Sequence, residues 1–387
     1  MRAQAPCVAC QPFLASRSIM FFTLILVVWT ALHFYVFQRA HTVPWIRERV
    51  SRRGFFIVAF VLWTLYFAAR FFDQIELGAV AVPLEAIGSS WLGILFVLSV
   101  CLFLADLVTG FGYLLRKHVP TLRAIGLGVG ALLAAFALVQ GLRAPVVSEH
   151  EVTVRDLPSD ADGVVVTVVS DLHLGTLLGE VWLADRVAQI HEMDPDVVII
   201  AGDLSEGHGL RDSEEVLATV LRRLDPPLGV WAVLGNHESH EGGDDALRFF
   251  ESAGIRVLQD SWREIRPGLL LAGIGDRGHG ADPSDATPLD RALAARPPGT
   301  ATILVTHRPI LVGEAAAAKV GLVLAGHTHG GQIWPFDYFL ALVNPLLEGR
   351  YEIDGTTAIV CRVTGTWGPR MRLFAPSEIV RITLRAP

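Results

Sequence analysis

The sequence predicts an α/β protein in two parts, a membrane region of four helices over residues 1–145 and an α/β domain over residues 146–387. Three observations predict it. Four long apolar stretches lie before residue 142. From Val152 onward, short β-branched runs alternate with segments of helical spacing. Acidic and histidine residues recur directly after those runs, at the strand ends where open α/β sheets bind ligands.

The apolar stretches run from Ser18 to Phe37, Gly54 to Phe72, Trp91 to Leu115 and Leu122 to Leu142. Each is close to the roughly 20 residues a helix needs to cross a bilayer. The first is too long for a cleavable signal, and no small-residue cleavage pattern follows it. The third holds Asp106, expensive in lipid, which must face a helix neighbour or sit near an interface. The fourth carries Gly126, Gly128, Gly130, Ala134 and Ala135, which suits close helix packing. Arg39, Arg47, Arg49, Arg52 and Arg53 follow the first stretch, and Arg116, Lys117 and Arg123 follow the third. The second loop has Asp73, Glu76 and Glu85, with Arg70 only at its edge. Positive loops stay in the cytoplasm, so four crossings place both termini outside it; Arg2 and Arg17 in the leader pull weakly the other way.

Composition agrees with this division. The chain has 387 residues, 52% hydrophobic and 18% charged, more apolar than usual for a soluble protein. A formal net charge of −7 argues against a nucleic-acid-binding surface. Cys7 and Cys10 form a lone Cys-x-x-Cys without the second pair that a zinc ribbon needs; Met20 offers an alternative start that would remove both.

In the second part, strands are expected at Val164–Ser170, Asp196–Ala201, Gly229–Leu234, Leu269–Ile274, Ala301–Val305, Gly321–Ala325, Thr357–Val363 and Glu378–Leu384. Helices are expected at Val181–Met193 and Ser213–Leu224. Ala281–Pro288 and Arg296–Thr300 read as loops. After successive strands come Asp171-Leu172-His173, Gly202-Asp203, Gly235-Asn236-His237-Glu238, His307, and Gly326-His327-Thr328-His329. Carboxylates, an amide oxygen and imidazoles without thiolate suit divalent Mn, Fe or Zn. Residues 171 and 173, like 327 and 329, lie two apart and in extended backbone would point to one side. The donor count is enough for two metals sharing one carboxylate. Such a pair can hold a bridging hydroxide and clamp a phosphate for in-line attack.

These blocks, in this order, resemble the calcineurin-like metallophosphoesterase superfamily from about Val164 to the C-terminus. The run Gly326-His327-Thr328-His329-Gly330-Gly331-Gln332 is similar to its bacterial membrane-associated branch, with the YkuE-like and YaeI-like enzymes and the transmembrane phosphoesterases. So is the tail Gly365-Thr366-Trp367-Gly368-Pro369, then Arg372 and Pro376-Ser377-Glu378-Ile379, although Ser377 interrupts the usual Pro-Glu pair. The resemblance implies two packed β-sheets flanked by helices, and two divalent ions (Mn, Fe, Zn or Mg). It implies Asp171, His173 and His329 on the first metal, Asn236, His307 and His327 on the second, and Asp203 bridging. His237 would face the substrate as the catalytic residue, and Glu238 would orient His237 or another ligand. The implied protein is a multi-pass phosphoesterase of a bacterial plasma membrane with its catalytic domain on the extracytoplasmic side. Its substrate would be a phosphodiester, phosphomonoester or pyrophosphate, lipid-linked in a narrower version such as a phospholipid or a UDP-linked glycolipid.

Taken singly, the motifs have bland explanations: Asp-Leu-His and Gly-Asp occur by chance, and a lone histidine is more often packed or solvated. His208 and His240 follow motif blocks and are candidate pocket residues. Arg308 either contacts phosphate or is simply exposed, and Trp334 and Phe336 form either a wall beside the site or core. Two other functions compete. A non-catalytic metal-binding sensor or scaffold would keep the fold without turnover, yet every expected ligand is present. A transporter would need more polar residues within its helices than Asp106.

Overall fold

The computed structural model describes residues 11–74, 77–206, 213–240, 243–276 and 287–387. Cys7 and Cys10 lie outside them. The chain divides into two compact units, Met1–Ala135 and Phe136–Pro387.

The first unit is helical: α1 (Gln11–His41), α2 (Pro44–Arg49), α3 (Arg52–Gln74), α4 (Gly78–Val108) and most of α5 (Val119–Gly141). Among the described residues, Arg52–Ala69, Val80–Val108 and Arg116–Gly141 are long and apolar enough to cross a membrane. The remaining expected span, Ser18–Phe37, falls in α1, which has 31 residues; the side chains of residues 11–22 and 25 lie outside the described set. One expected boundary is corrected. Glu85, assigned to a loop, lies inside α4, which also contains Pro83. The apolar residues before and after Glu85 continue the helix, and Glu85 is buried. The helix stops at Val108 because Gly110, Phe111 and Gly112 take positive φ. Close packing of α5 is borne out at Gly126, where a Cβ would come 3.1 Å from the Cys101 carbonyl oxygen.

Asp106 faces helix neighbours. It is fully buried, lies 2.6 Å from Arg39 Nε in an ion pair, and accepts from Arg123 Nε and Nη2 at 2.9 and 2.8 Å and from the Tyr35 hydroxyl at 3.0 Å. Arg123 also donates to Thr42 Oγ1 at 3.1 Å. The ends of α1 and α4 and the start of α5 are thereby joined at one point.

The second unit holds two six-stranded sheets. The first is ordered β1 (Val146–Thr153), β12 (Glu378–Arg385), β2 (Val165–Val169), β3 (Val197–Ala201), β4 (Val230–Val233) and β5 (Arg256–Val257). The second is ordered β10 (Gly349–Ile353), β11 (Thr356–Val360), β9 (Leu322–Ala325), β8 (Ala301–Thr306), β7 (Leu269–Ile274) and β6 (Ser261–Arg266). β2 to β5 run parallel, as do β11, β9, β8 and β7. Period-two alternation sorts their side chains. Val166, Val168, Val197, Ile199, Ile303, Val305, Leu322 and Leu324 meet between the sheets. Val169, Val198 and Ile200 face α6 (Glu180–His191), α7 (Glu214–Leu221) and α9 (Gly243–Ser252). Ala272, Leu304 and Val323 face α10 (Pro288–Ala292) and α11 (Val312–Ala317). The fold is thus α/β, with two mixed sheets flanked by helices.

The eight expected strands are present to within a few residues. β1, β5, β6 and β10 were not expected. β1 and β10 are edge strands whose residues are mostly exposed or half-buried, so they lack the continuous apolar run of a strand covered on both faces. Residues 296–300 form the expected loop. Of the expected loop 281–288, residues 281–286 lie outside the described set, and Pro288 begins α10.

Removing one partner of a buried ion pair costs about 3–5 kcal/mol. Asp106→Asn should therefore lower the unfolding temperature of the purified chain in detergent by several degrees. An unchanged transition would remove the structural role.

Candidate metal centre

Every expected ligand lies on one rim, just past the carboxyl ends of five strands. Asp171 and His173 follow β2, Asp203 follows β3, Asn236 and His237 follow β4 as the first residues of α8 (Asn236–His240), His307 follows β8, and His327 and His329 follow β9. Both sheets contribute. Asp171, His173 and His329 each bring one ligand atom within 4.8 Å of the others, as do Asp203, His307 and His327, and likewise His173, Asp203 and His237. Asp203 thus belongs to two of the three groups.

The backbone that presents these atoms differs from expectation. Residues 171 and 173 are not in extended backbone. Asp171, His173, Asp203, His327 and His329 have φ of 49°, 47°, 50°, 72° and 54°. This left-handed conformation is uncommon for residues with a side chain and costs on the order of 1–3 kcal/mol each. Left-handed turns, rather than strand alternation, aim both members of each pair at the rim. Space is also tight. A Cβ on Gly235 would collide with the Asp203 carboxylate, so only glycine fits beside it.

The polar atoms divide into those already satisfied and those left over. Asp171 Oδ2 accepts from the Ser170 hydroxyl and from the His327 N–H at 3.0 Å. Its Oδ1 is buried without a hydrogen-bond partner and lies 3.4 Å from His329 Nε2 and 3.9 Å from His173 Nε2. Both ring nitrogens of buried His173 are unpartnered as well. Such orphans are rare in folded proteins, and converging carboxylate and imidazole atoms fit a divalent cation. On the other side, His307 Nδ1 contacts the Ala201 carbonyl at 2.9 Å. Its Nε2 then faces Asp203 Oδ2 at 3.3 Å, Asn236 Oδ1 at 3.1 Å and His327 Nδ1 at 3.1 Å. Asp203 Oδ1 accepts the His237 N–H at 2.9 Å.

Burial opposes ionisation of Asp171 and Asp203, but the surrounding imidazoles, His307 foremost, outweigh it. Asp171 is held well below the usual carboxylate range, and Asp203 falls to about 2. Burial would lower His307, yet Asp203 and Asp171 raise it to about 10. Burial, with His329 adding to it, brings His173 to about 3. Burial and neighbouring His307 bring His327 to about 4.

Three supporting residues had no role assigned from sequence. Gln332 Oε1 lies 3.0 Å from His329 Nδ1, and its amide donates to the carbonyls of Trp367 and Pro369 at 3.0 and 3.1 Å. Ser170 braces Asp171. Arg372, fully buried, donates to the carbonyl oxygens of His329, Arg362, Ala375 and Gly365 at 3.3, 3.0, 3.2 and 2.5 Å. Gln332 and Arg372 both sit in the motif runs quoted above, but nothing in their spacing reveals these partners. Glu238 does not brace the His237 ring in the recorded hydrogen bonds. Its carboxylate accepts the N–H groups of Asp203, Ser205 and Gly235 at 3.1, 3.1 and 2.8 Å, which ties two ligand loops together. Burial, then repulsion from Asp203, raises it to about 7.

The remaining candidates scatter. Arg308 pairs with Asp276 at 2.5 Å. His208 and the His240 side chain lie outside the described residues. His191 is exposed and contacts the Arg223 carbonyl at 2.9 Å. Trp334 is half-buried and Phe336 exposed. The half-exposed Trp367 ring lies 6.1 Å from the His237 ring, centroid to centroid.

Residues 164–331 match the family model described as calcineurin-like phosphoesterase. The chain is 31% identical over 334 residues to a transmembrane protein with metallophosphoesterase domain from Danio rerio, spanning 78% of this chain and 74% of that protein. It is 34% identical over 247 residues to a metallophosphoesterase from Aquifex aeolicus, 62% of this chain and 91% of that protein. It is 25% identical over 250 residues to the metallophosphoesterase YkuE of Bacillus subtilis, 62% of this chain and 85% of that protein. This chain belongs to the calcineurin-like metallophosphoesterase family.

Metal uptake should release a proton from His307. Its Nε2 faces the other donors and must be bare to ligate, whereas the metal-free ring keeps its proton up to about 10. His173 and His327, lowered to about 3 and 4, arrive at neutral pH without one. Apparent metal affinity should therefore fall about tenfold per unit as pH drops from about 10 to about 4. Calorimetric titration in buffers of different ionisation enthalpy measures the release; pH-independent affinity would contradict it.

Proposed function

We propose that the chain is a membrane-anchored phosphoesterase that hydrolyses a phosphate ester with two divalent ions, drawn from Mn, Fe, Zn and Mg. The observation that carries this reading is the pair of donor groups Asp171–His173–His329 and Asp203–His307–His327, linked by the approach of His173 to Asp203, with Asp171 Oδ1 and both His173 nitrogens left unpartnered. Asp171, His173 and His329 would hold one ion, Asn236, His307 and His327 the other, with Asp203 shared. A pair bound there would supply an activated water as nucleophile and Lewis-acid stabilisation of the phosphoryl oxygens.

The chain's own groups supply position and proton transfer. His237 is half-buried at the rim, its N–H held by Asp203 and its ring 4.9 Å from His173, centroid to centroid. From there it reaches the leaving oxygen and donates the proton that departure requires. Trp367 supplies an apolar wall on the same side. The chemistry of the rim accommodates a diester, monoester or pyrophosphate; the anchor favours a lipid-linked one, such as a phospholipid or a UDP-linked glycolipid. The arginine-rich loops favour an extracytoplasmic rim in a bacterial plasma membrane. Four crossings in either orientation bring together the helix ends where Arg39, Asp106 and Arg123 meet, so the orientation rests on the positive loops.

His237→Ala should lose hydrolysis of model diesters by about 10²–10⁴-fold while keeping its metal. Assays with Mn²⁺, Zn²⁺ and Mg²⁺ supplied separately, together with metal analysis of the variant, measure both. Full activity would remove the role of His237. Bound metal without turnover of any ester by the unmodified chain would favour the sensor reading.

On intact cells, external protease should cleave the second unit without permeabilisation. Cleavage only after permeabilisation would reverse the topology.

A further inference from the structure

The metal rim carries a surface that hydrolysis does not require. From Phe336 to Leu347 the chain has one charged residue, Asp337. α12 (Phe336–Ala341) forms the first half. Phe336, Tyr338, Phe339, Leu342 and Val343 are 45%, 65%, 62%, 82% and 74% exposed. Scattered apolar side chains are ordinary on a protein surface, but a contiguous run marks an interface.

The run is fastened to the metal-binding loop. Thr328 Oγ1, between His327 and His329, donates to the Leu347 carbonyl at 2.5 Å. Gly331 packs so closely on α12 that a Cβ there would come within 2.5 Å of Asp337 Cα. Whatever covers the apolar run is therefore held at the lip of the site.

Continuity identifies the cover. The Trp334 ring, just before α12, lies 6.1 Å from the Phe374 ring, and Phe374 lies 6.0 Å from Phe136, centroid to centroid. Phe374 and Phe136 are themselves 60% and 43% exposed, and the Phe374 N–H donates to Gln140 Oε1 at 2.9 Å. Phe136 and Gln140 belong to the end of α5, within a segment long and apolar enough to cross a membrane. An aromatic path thus leads, inside one unit, from the end of that helix to the lip of the metal site. Aromatic side chains favour the bilayer interface.

We propose that α12 and the turn through Val343 insert into the bilayer interface beside the end of α5, and that this surface delivers a phosphate ester carried by a lipid to the metal rim. The delivery half rests on the phosphoesterase reading; the docking half does not.

The test uses the full chain in nanodiscs of phosphatidylcholine and phosphatidylglycerol, with Cys7→Ser and Cys10→Ser removing the leader thiols. Leu342→Cys is labelled with a fluorophore. Val181→Cys, on α6 where the native residue is 77% exposed, is the aqueous control. The Leu342 label should be quenched by lipids spin-labelled near the headgroup and shielded from iodide, with the reverse at Val181. Iodide quenching at both positions would overturn docking. Shielding of Leu342 from both quenchers would overturn it in favour of a protein contact.

The triple variant Phe339→Ser, Leu342→Ser, Val343→Ser then tests delivery. It should keep turnover of bis(p-nitrophenyl) phosphate and lose about tenfold or more on phosphatidylglycerol or a diphosphate-linked lipid in the discs. An equal effect on both substrate classes would overturn delivery. An unmodified chain inert towards every ester would sink the phosphoesterase reading and delivery with it, while the quenching result would still decide docking.

Discussion

The second unit is organised around two buried carboxylates. Asp171 and Asp203 are 0% and 2% exposed, and a carboxylate in such a place is costly unless opposed by positive charge. The chain opposes them with imidazoles, and one response is uneven in an informative way. His307 faces both carboxylates and is pushed up, whereas His173 and His327 are pushed down by burial and by neighbouring rings. One proton on His307 offsets part of the negative charge. The rest of the site is matched to a stronger cation, since Asp171 Oδ1 and His173 remain without hydrogen bonds.

Holding that donor set together requires backbone that the residues themselves disfavour. Asp171, His173, Asp203, His327 and His329 all sit in left-handed conformation. Their combined strain must be offset by contacts around them. The sheets provide the platform, because β2, β3 and β4 run parallel in one sheet and β8 and β9 in the other, and the donor groups follow their carboxyl ends. Hydrogen bonds then lock the loops. Glu238 holds the N–H groups of Asp203, Ser205 and Gly235, Ser170 and the His327 N–H fix Asp171, and Gln332 orients His329. None of these braces needs to touch a cation to determine where it would bind.

This division explains what was legible in the sequence. Runs such as 165–169 and 197–201 are covered on both faces, so their apolar character marks strands plainly. The ligands follow such runs directly, so their placement on one rim could be read as well. β1 and β10 cover little core and carry Ser148, Glu149, Arg350 and Glu352, which look like loop. Glu85 and Pro83 disguised the first turns of α4 in the same way. The left-handed ligand positions had no marker, because Asp and His tolerate that conformation better than most residues but occupy extended and helical backbone just as readily. Glu238 and Arg372 act on backbone groups distant in sequence, so spacing alone could not reveal their partners.

Arg372 shows how closely the metal loop is tied to the end of α5. Its N–H donates to the Ala137 carbonyl at 2.9 Å, and its guanidinium donates to the His329 carbonyl at 3.3 Å. One buried residue therefore joins the last turns of α5, a helix long and apolar enough to cross a membrane, to a residue of the candidate metal rim. Its guanidinium donates to carbonyl oxygens at three points of the long β11–β12 connection, Arg362, Gly365 and Ala375, and to that of His329 after β9. An arginine in this position acts as a geometric clamp: its fork of donors fixes the fold of one long loop and ties it to the loop of His329. A lysine has one charged nitrogen and could not span them. Within the second unit, the last residues of α5 and the loop that carries His329 are thus fastened to each other through one buried side chain and its backbone.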